Sequence, residues 1–387
     1  MGLCLALAYL FLLYEFMGIV TNLSAGWIAA RFGLTSTLYA GLVLQILALA
    51  ALTQLDPTWQ VAVSVAFVMA VQGVSGVAKD LAKMSSKSAV KILAPAGEKG
   101  ALFRWVAVLT GSKNAVKGVG FLLGALLLGV VGFTGAVAVM GAALAVIFAA
   151  VAVFMPSGLP VGRKGVKFRE VFSKDPNVNR LSGARLFLFG ARDTWFVVGI
   201  PIYFYSVLSD GTVDGNRAAF FQIGTFMAIW IIAYGLVQAA APRLLKASNR
   251  ELPEIVGLAR TWAGILTLIP TVLAAAAWAG DAPDPANWLT VTLVAGLLLF
   301  GVVFALNSSL HSYLILAFTN AARVTMDVGF YYMSNAAGRL IGTLLSGVSY
   351  QLGGLTLCLA TAALMSALSF VFAEQLQRTM VLAPEGA

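Results

Sequence analysis

Charge is what this chain has least of. Only 11% of its 387 residues are Asp, Glu, Lys or Arg, against about 25% in ordinary soluble domains. That excludes a water-soluble globular fold. Thiols and imidazoles are scarce too: two cysteines, Cys4 and Cys358, stand at opposite ends, and His311 is the one histidine. Neither a disulfide framework nor a Cys/His metal cluster follows from such a set, so no metal and no cofactor is expected. The sequence has no G-x-x-x-x-G-K-[ST] run, which argues against an ATP-driven pump. It also lacks the ten-residue segments of alternating polarity that mark an outer-membrane barrel. No enzymatic activity is expected.

What is abundant is apolar residues, at 60%. Runs near twenty apolar residues recur along the whole length, the signature of membrane-spanning helices. They predict an all-α polytopic membrane protein with eleven spans, at 3–29, 35–53, 58–80, 100–132, 134–155, 182–208, 217–241, 257–279, 287–309, 327–350 and 353–374.

The loops alternate in charge. One set carries Arg31, Lys79 to Lys99, Arg104, Arg163 to Arg180, Arg243 to Arg250, and Arg323; the other carries Asp56, Asp210, Asp214, Arg217, Asp281 and Asp284. Lys and Arg concentrate in cytoplasmic loops. The first set and the C-terminus are therefore expected in the cytoplasm, with the protein in the inner (plasma) membrane. This accounts for the net charge of +9 without a nucleic-acid partner. Eleven spans with a cytoplasmic C-terminus put Met1 outside, although nothing ahead of residue 3 directs it there. The reading preferred is that a further helix belongs in front; the alternative is a true eleven-span chain with its N-terminus outside.

The hydrophilic stretch 156–181 predicts a cytoplasmic linker between an N-terminal bundle (1–155) and a C-terminal bundle (182–387). An internal repeat agrees. Residues 109–132 align with 331–354, with identities at Ser112/Ser334, Ala115/Ala337, Gly120/Gly342, Leu122/Leu344, Leu123/Leu345 and Gly132/Gly354, and Lys117 falls on Arg339. Two parallel halves enclosing a site near mid-membrane is the arrangement of major facilitator transporters.

The informative residues are the charges inside spans: Glu15, Lys113, Lys117, Arg185, Arg192, Asp193 and Arg339. Lys113 and Lys117 share a helix face, continued by Gly120 and Gly124. Lys117 lies roughly 22 Å, and Arg339 roughly 16 Å, from the outer ends of their spans. A charge at that depth costs about 3 kcal/mol or more on insertion scales and faces a bundle interior or a water-filled cavity. Arg185 is read as snorkelling to the headgroups. Asp193 is either a coupling group or a structural partner for a cation; Glu15 either titrates and couples protons or pairs with a lysine or arginine. Among Lys113, Lys117, Arg192 and Arg339 the cations exceed the visible acids, which points to an anionic ligand. Tyr331, Tyr332 and Asn335 add hydroxyl and amide donors beside Arg339. Lys79, Lys83, Lys87 and Lys91 recur every four residues, either as a ramp that gathers anions or as charge meeting anionic headgroups. Lys79 is assigned to the pathway.

Two glycine patterns are weaker signals. Gly26 to Gly33 looks like the major facilitator loop motif, although its acidic position is Ala30; Gly33 would also serve as a plain helix terminator. Gly111, Gly120 and Gly124 resemble the glycine spacing of the antiporter motif, with Ala125 where proline is expected. Close packing of helices is the simpler role for these glycines.

Taken together, the runs Tyr14-Glu15-Phe16, Gly73 to Ser88, Phe103 to Gly118, Phe187 to Phe204 and Phe330 to Gly342 resemble the ArsJ-type organoarsenical efflux permeases of the major facilitator superfamily. The resemblance implies a major facilitator fold of two pseudo-symmetric bundles. It implies export of 1-arseno-3-phosphoglycerate, made by a glyceraldehyde-3-phosphate dehydrogenase acting with arsenate, and hence arsenate resistance. A substrate with a phosphate and an arsenate ester suits separated Lys point charges and Arg forks. Pentavalent arsenic is a hard oxyanion, so it needs no thiol cluster. Expected site residues are Lys79, Lys113, Lys117, Arg192, Tyr332, Asn335 and Arg339, with Glu15 and Asp193 for coupling to the proton gradient in a monomeric carrier. The alternatives are a carrier of another phosphorylated metabolite or organic anion, and a membrane sensor that binds an anion without moving it.

Overall fold

The computed structural model describes residues 2–56, 58–94, 100–156, 159, 161–247, 250–280 and 287–382. Lys99, Asp281, Asp284 and the side chain of Cys4, all used above, lie outside the described residues.

Among the described residues ten α-helices follow one another: α1 Gly2–Phe32, α2 Leu34–Leu52, α3 Val61–Leu93, α4 Ala101–Phe154, α5 Pro176–Thr194, α6 Ile200–Leu208, α7 Val213–Leu244, α8 Leu252–Gly280, α9 Asn287–Phe318 and α10 Val324–Leu382. Two are folded hairpins. The backbone of α4 breaks at Gly132 (φ 68°, ψ −179°), and that of α10 at Gly353 and Gly354 (φ 60°, ψ −154° at Gly354). Positive φ with extended ψ is open to glycine and costly for other residues, so these glycines turn the corner. Gly132 and Gly354 are partners in the aligned repeat, and the two share one backbone conformation. With those breaks, and with α5 and α6 joined end to end, the described residues form eleven rods at the positions of the eleven predicted spans. Seven helical segments are long and apolar enough to cross a membrane by length and composition. The chain is a multi-pass membrane protein.

Local signals set the remaining ends. Asp175 caps α5, accepting from the main-chain N–H of Asn177 (2.7 Å) and Val178 (3.2 Å), with Pro176 in the first turn; this is a favoured helix start. It begins the span at 176, not 182, and shortens the expected linker. Within that linker a 3₁₀ turn, Phe168–Val171, forms. Between α5 and α6 the rod passes through one π-helical turn, Trp195–Gly199. Pro201 explains it, because its ring lacks an N–H and clashes with the preceding turn. Side chains meet two main-chain groups there: Cys358 Sγ donates to the Thr194 carbonyl (2.9 Å), and Ser346 Oγ accepts from Gly199 N–H (3.1 Å).

α1 lies along α10 and α4 along α7, so the first four helices meet the last six on two seams. Both seams are made of small residues: Gly26 abuts Gly329 and Thr325, and Gly111 abuts Gly235 and Ala239. Close backbone approach of this kind is how helices associate in lipid. One apolar cluster, including Met84, Phe103, Val106, Ile255, Leu310 and Tyr331, joins both groups of helices near the basic loops. Phe103 stacks on Tyr313 there (4.9 Å between centroids). A second cluster is drawn from residues 188 to 362 alone. The 161–175 segment also straps the basic end. Trp27 Nε1 donates to the Val166 carbonyl (3.1 Å), Arg163 to that of Ala322 (2.7 Å) and Arg323 to that of Glu170 (3.0 Å).

Candidate functional site

Two adjacent residues near the end of α5 start the site. Arg192 donates through Nε to Asp193 Oδ1 (2.6 Å), and its Nη2 lies 2.5 Å from the same oxygen. Arg339 of α10 donates to Asp193 Oδ2 (3.1 Å) and pairs with Glu15 of α1. Glu15 and Asp193 are buried, at 3% and 1% exposure. Four charges thus form one chain, Glu15–Arg339–Asp193–Arg192, that bridges α1, α5 and α10. This corrects the expectation that Arg192 and Arg339 are surplus cations: two carboxylates of the protein offset two arginines. The reason is desolvation, since a buried charge without a counter-charge costs several kcal/mol. Three aromatic rings also line Arg192, those of Phe189, Phe196 and Phe304, at 4.8 to 5.9 Å from the guanidinium carbon.

α3 supplies the opposite wall. It runs on to Leu93 instead of ending near residue 80, so Lys79, Lys83 and Lys87 step down one helical face inside the bundle. Lys83 Nζ donates to Asp80 Oδ1 (2.7 Å) and to Asn22 Oδ1 (2.6 Å), while Thr21 Oγ1 donates to Asp80 Oδ2 (2.5 Å). The Lys83 ammonium also sits 4.4 Å from the centroid of Tyr332. Asp80 is a site residue that the sequence reading missed. Its signal was the Asp80–Lys83 spacing of three, which places acid and base on one face.

α4 is different. Lys113 and Lys117 are exposed, and neither makes a hydrogen bond or an ion pair with a described residue. Lys117 lies in the field of Arg339, Arg192, Lys79 and Asp193, and Lys113 in that of Lys83, Arg185, Lys117 and Lys79. The stripe they begin carries two kinds of glycine. Gly111 packs on α7, whereas Gly120 and Gly124 have no neighbour among the described residues within 4 Å of where a Cβ would stand. Close packing therefore explains the first and not the other two. Asn114 ties α4 to α7 by donating to Gln238 Oε1 (2.7 Å).

Between these walls lies a cavity of about 280 Å³, lined by Glu15, Thr21 and Asn22 of α1, by Lys79, Asp80 and Lys83 of α3, and by Tyr332, Asn335 and Arg339 of α10, among others. The structure thus brings Lys79, Tyr332, Asn335, Arg339 and Glu15 to one space. It leaves Lys113, Lys117, Arg192 and Asp193 off that wall, although Lys117 and Arg192 remain electrostatic neighbours of it. The cavity wall carries three cations (Lys79, Lys83 and Arg339) and two carboxylates (Glu15 and Asp80); Lys113, Lys117, Arg192 and Asp193 lie in the field of those groups without lining it. Asn335 Oδ1 is buried with no hydrogen-bond partner among the described residues. The arrangement offers ammonium, guanidinium, phenol and amide donors to a guest rich in acceptors.

Arg185 also departs from expectation. It does not reach for headgroups: it is 3% exposed, and it donates to Ser308 Oγ (2.9 Å) and the Ser308 carbonyl (3.2 Å). Serine on the facing helix α9 gives it a partner inside the bundle, which removes the need to snorkel.

No protein-family model matches the sequence, and no curated protein matches it. Solved structures do. A bacterial homologue of the iron transporter ferroportin, in an outward-facing state, superposes over 97% of this chain and 90% of its own, at 15% identity and TM-score 0.73. The human organic anion transporter MFSD10 covers 94% of this chain and 83% of its own, at 18% identity and TM-score 0.70. The E. coli major facilitator transporter FucP, in its outward conformation, covers 94% and 89%, at 12% identity and TM-score 0.69. At such identities the likeness speaks for the fold: eleven described rods, in this order and packed along these seams, are the all-α fold of the major facilitator transporters.

Proposed function

We propose that this chain is a secondary transporter that exports an anionic organoarsenical, 1-arseno-3-phosphoglycerate, by alternating access, and so confers arsenate resistance. The observation that carries the anion reading is the charge imbalance at and beside the cavity: three cations and two carboxylates line it, Arg192 and Asp193 add one of each next to it, and Lys113 and Lys117 stand in the same field with no partner among the described residues. Unpaired ammonium groups at membrane depth are tolerated where an anion or water meets them. A metal-ion cargo fits less well, because among the described residues no three His, Cys, Asp or Glu side chains come together. The choice of organoarsenical rests on the sequence resemblance to the ArsJ-type permeases. MFSD10 is an organic anion transporter, which favours as a second reading a carrier of another phosphorylated or carboxylated metabolite.

In this reading Lys117 and Lys79 attract one anionic end of the substrate, and Tyr332, Asn335 and Arg339 hold the other. Glu15 and Asp193 share Arg339. A proton delivered to Glu15 loosens that grip and frees the guanidinium for the guest, which couples transport to the proton gradient. The N-terminal and C-terminal bundles, 1–155 and 182–387, rock about the site, with the basic loops and the C-terminus in the cytoplasm and the chain in the plasma membrane. A glyceraldehyde-3-phosphate dehydrogenase supplies the substrate. The test is uptake into everted vesicles. Arsenic is expected to accumulate when arsenate, glyceraldehyde 3-phosphate, cofactor and that dehydrogenase are supplied together, and not when the dehydrogenase is omitted. Accumulation of 3-phosphoglycerate alone would favour the second reading, and accumulation of neither would refute both.

A further inference from the structure

Beneath Tyr332, which lines the open cavity, a second polar cluster is sealed from it. Lys87 of α3 is 2% exposed, and its ammonium has no hydrogen-bond acceptor among the described residues. What it touches is aromatic: the rings of Tyr332 (5.1 Å) and Tyr331 (5.4 Å). Arg185 lies against the same Tyr331 ring (5.1 Å). Its Nη1 is held by Ser308, while its Nε has no acceptor. One turn of α9 completes the group. Asn307 and His311 are four residues apart, hence on one face. Both are fully buried, and neither the amide of Asn307 nor either ring nitrogen of His311 has a partner among the described residues.

Lys87 and Arg185 share one tyrosine here, and among the described residues no carboxylate is bonded to either. Water could satisfy the amide and the imidazole, but it cannot cancel charge, and each uncompensated buried ion costs several kcal/mol. Donors also predominate: three on Lys87, the buried Nε–H of Arg185, two on the Asn307 amide and one or two on His311. Such a set calls for a compact, multiply charged acceptor. α3 supplies one cation, while α5, α9 and α10 supply the rest, so the cluster is whole when the two groups of helices are closed at the basic end.

We propose that Lys87, Arg185, Asn307 and His311 form a second, occluded oxyanion site, one level below the open cavity, that takes a phosphate-like group. It deepens the anion-carrier reading and rests on it. In that reading the guest crosses this level between the basic end and the cavity, and Tyr331 and Tyr332 separate the two stations.

The test is thermal unfolding and equilibrium binding of the purified full chain in nanodiscs. Inorganic phosphate, arsenate and 3-phosphoglycerate are the probes, against potassium gluconate at equal ionic strength. The wild type is expected to be stabilised by the probes. Lys87→Met is expected to unfold at the same or a higher temperature in gluconate, because it removes a charge with no partner, and to bind phosphate about tenfold or more weakly. Asn307→Leu, which leaves the charges in place, is expected to weaken phosphate binding severalfold. If Lys87→Met and Asn307→Leu bind phosphate as the wild type does while Lys117→Met does not, the buried site is overturned and the anion carrier stands. A lower unfolding temperature for Lys87→Met in gluconate would also overturn it, since the lysine would then be held by the protein itself. Absence of any response in the wild type would overturn the carrier reading and this site together.

Discussion

Lys117 and Arg339 occupy one position of the internal repeat, and they live under opposite conditions. Arg339 shares two carboxylates, Glu15 and Asp193, that join three helices. Lys117 is exposed and bonded to no described side chain. One cation is part of the fabric; the other is held ready. The difference teaches that an intramembrane charge is not by itself a binding group. Its partners decide, and they come from helices distant in sequence.

Removing each charge in turn should separate the two conditions. The largest effect is expected from Arg339→Met, which strands Glu15 and leaves Asp193 to Arg192 alone; loss of one partner of a buried pair costs about 3 kcal/mol or more. Transport should vanish and the unfolding temperature should fall, and adding Glu15→Gln should recover part of the stability but not the transport. An unchanged unfolding temperature in the single variant would erase the contrast. Lys117→Met should show the reverse pattern. Uptake into everted vesicles should fall by about ten- to a hundredfold, the worth of one charged contact to substrate, with stability unchanged or raised. Wild-type uptake in this variant would break the comparison from its other side.

A smaller effect separates the glycines along the lysine stripe. Gly111→Ala forces a methyl into the α7 backbone and should destabilise by about 1–3 kcal/mol. Gly120→Ala meets no described neighbour and should stabilise by up to about 1 kcal/mol through helix propensity. Melting curves of the two variants should therefore move in opposite directions, and a shared direction would show that the stripe is uniform. Smallest of these, Asp175→Ala removes the cap of α5 below Arg185 and Arg192 and should cost about 1 kcal/mol. Its binding of phosphate should not change, because the cap holds the helix start and not the charged face.

The eleven rods were readable because twenty-residue apolar runs and glycine corners are local features. The shared conformation of Gly132 and Gly354 even reflects their alignment in the repeat. The helix ends near charge were less readable. Hydropathy ended the third span at residue 80, because Lys83 and Lys87 look like loop residues when their burial against Tyr331 and Tyr332 is unknown. Arg185 was misjudged for the same reason: Ser308, its partner, is 123 residues away. Asp80 went unnoticed beside Lys79, and the pairing of Glu15 with Arg339 could not be picked out among several possible cations. Depth in the membrane can be counted along one helix, whereas neutralisation depends on how helices face one another.

The strap at the basic end has a practical corollary. Its three donors, Trp27, Arg163 and Arg323, all grip main-chain carbonyls. Trp27 ties the strap to α1 and the two arginines tie it to the turn before α10, so the bonds act in series; at about 1 kcal/mol each, the two arginine bonds favour the joined arrangement by roughly thirtyfold. Side-chain changes at the gripped residues Val166, Ala322 and Glu170 leave those oxygens in place, so the latch can be tuned only from the donor side. In the alternating-access reading proposed above, its setting governs how often the two groups of helices part, independently of what the cavity holds.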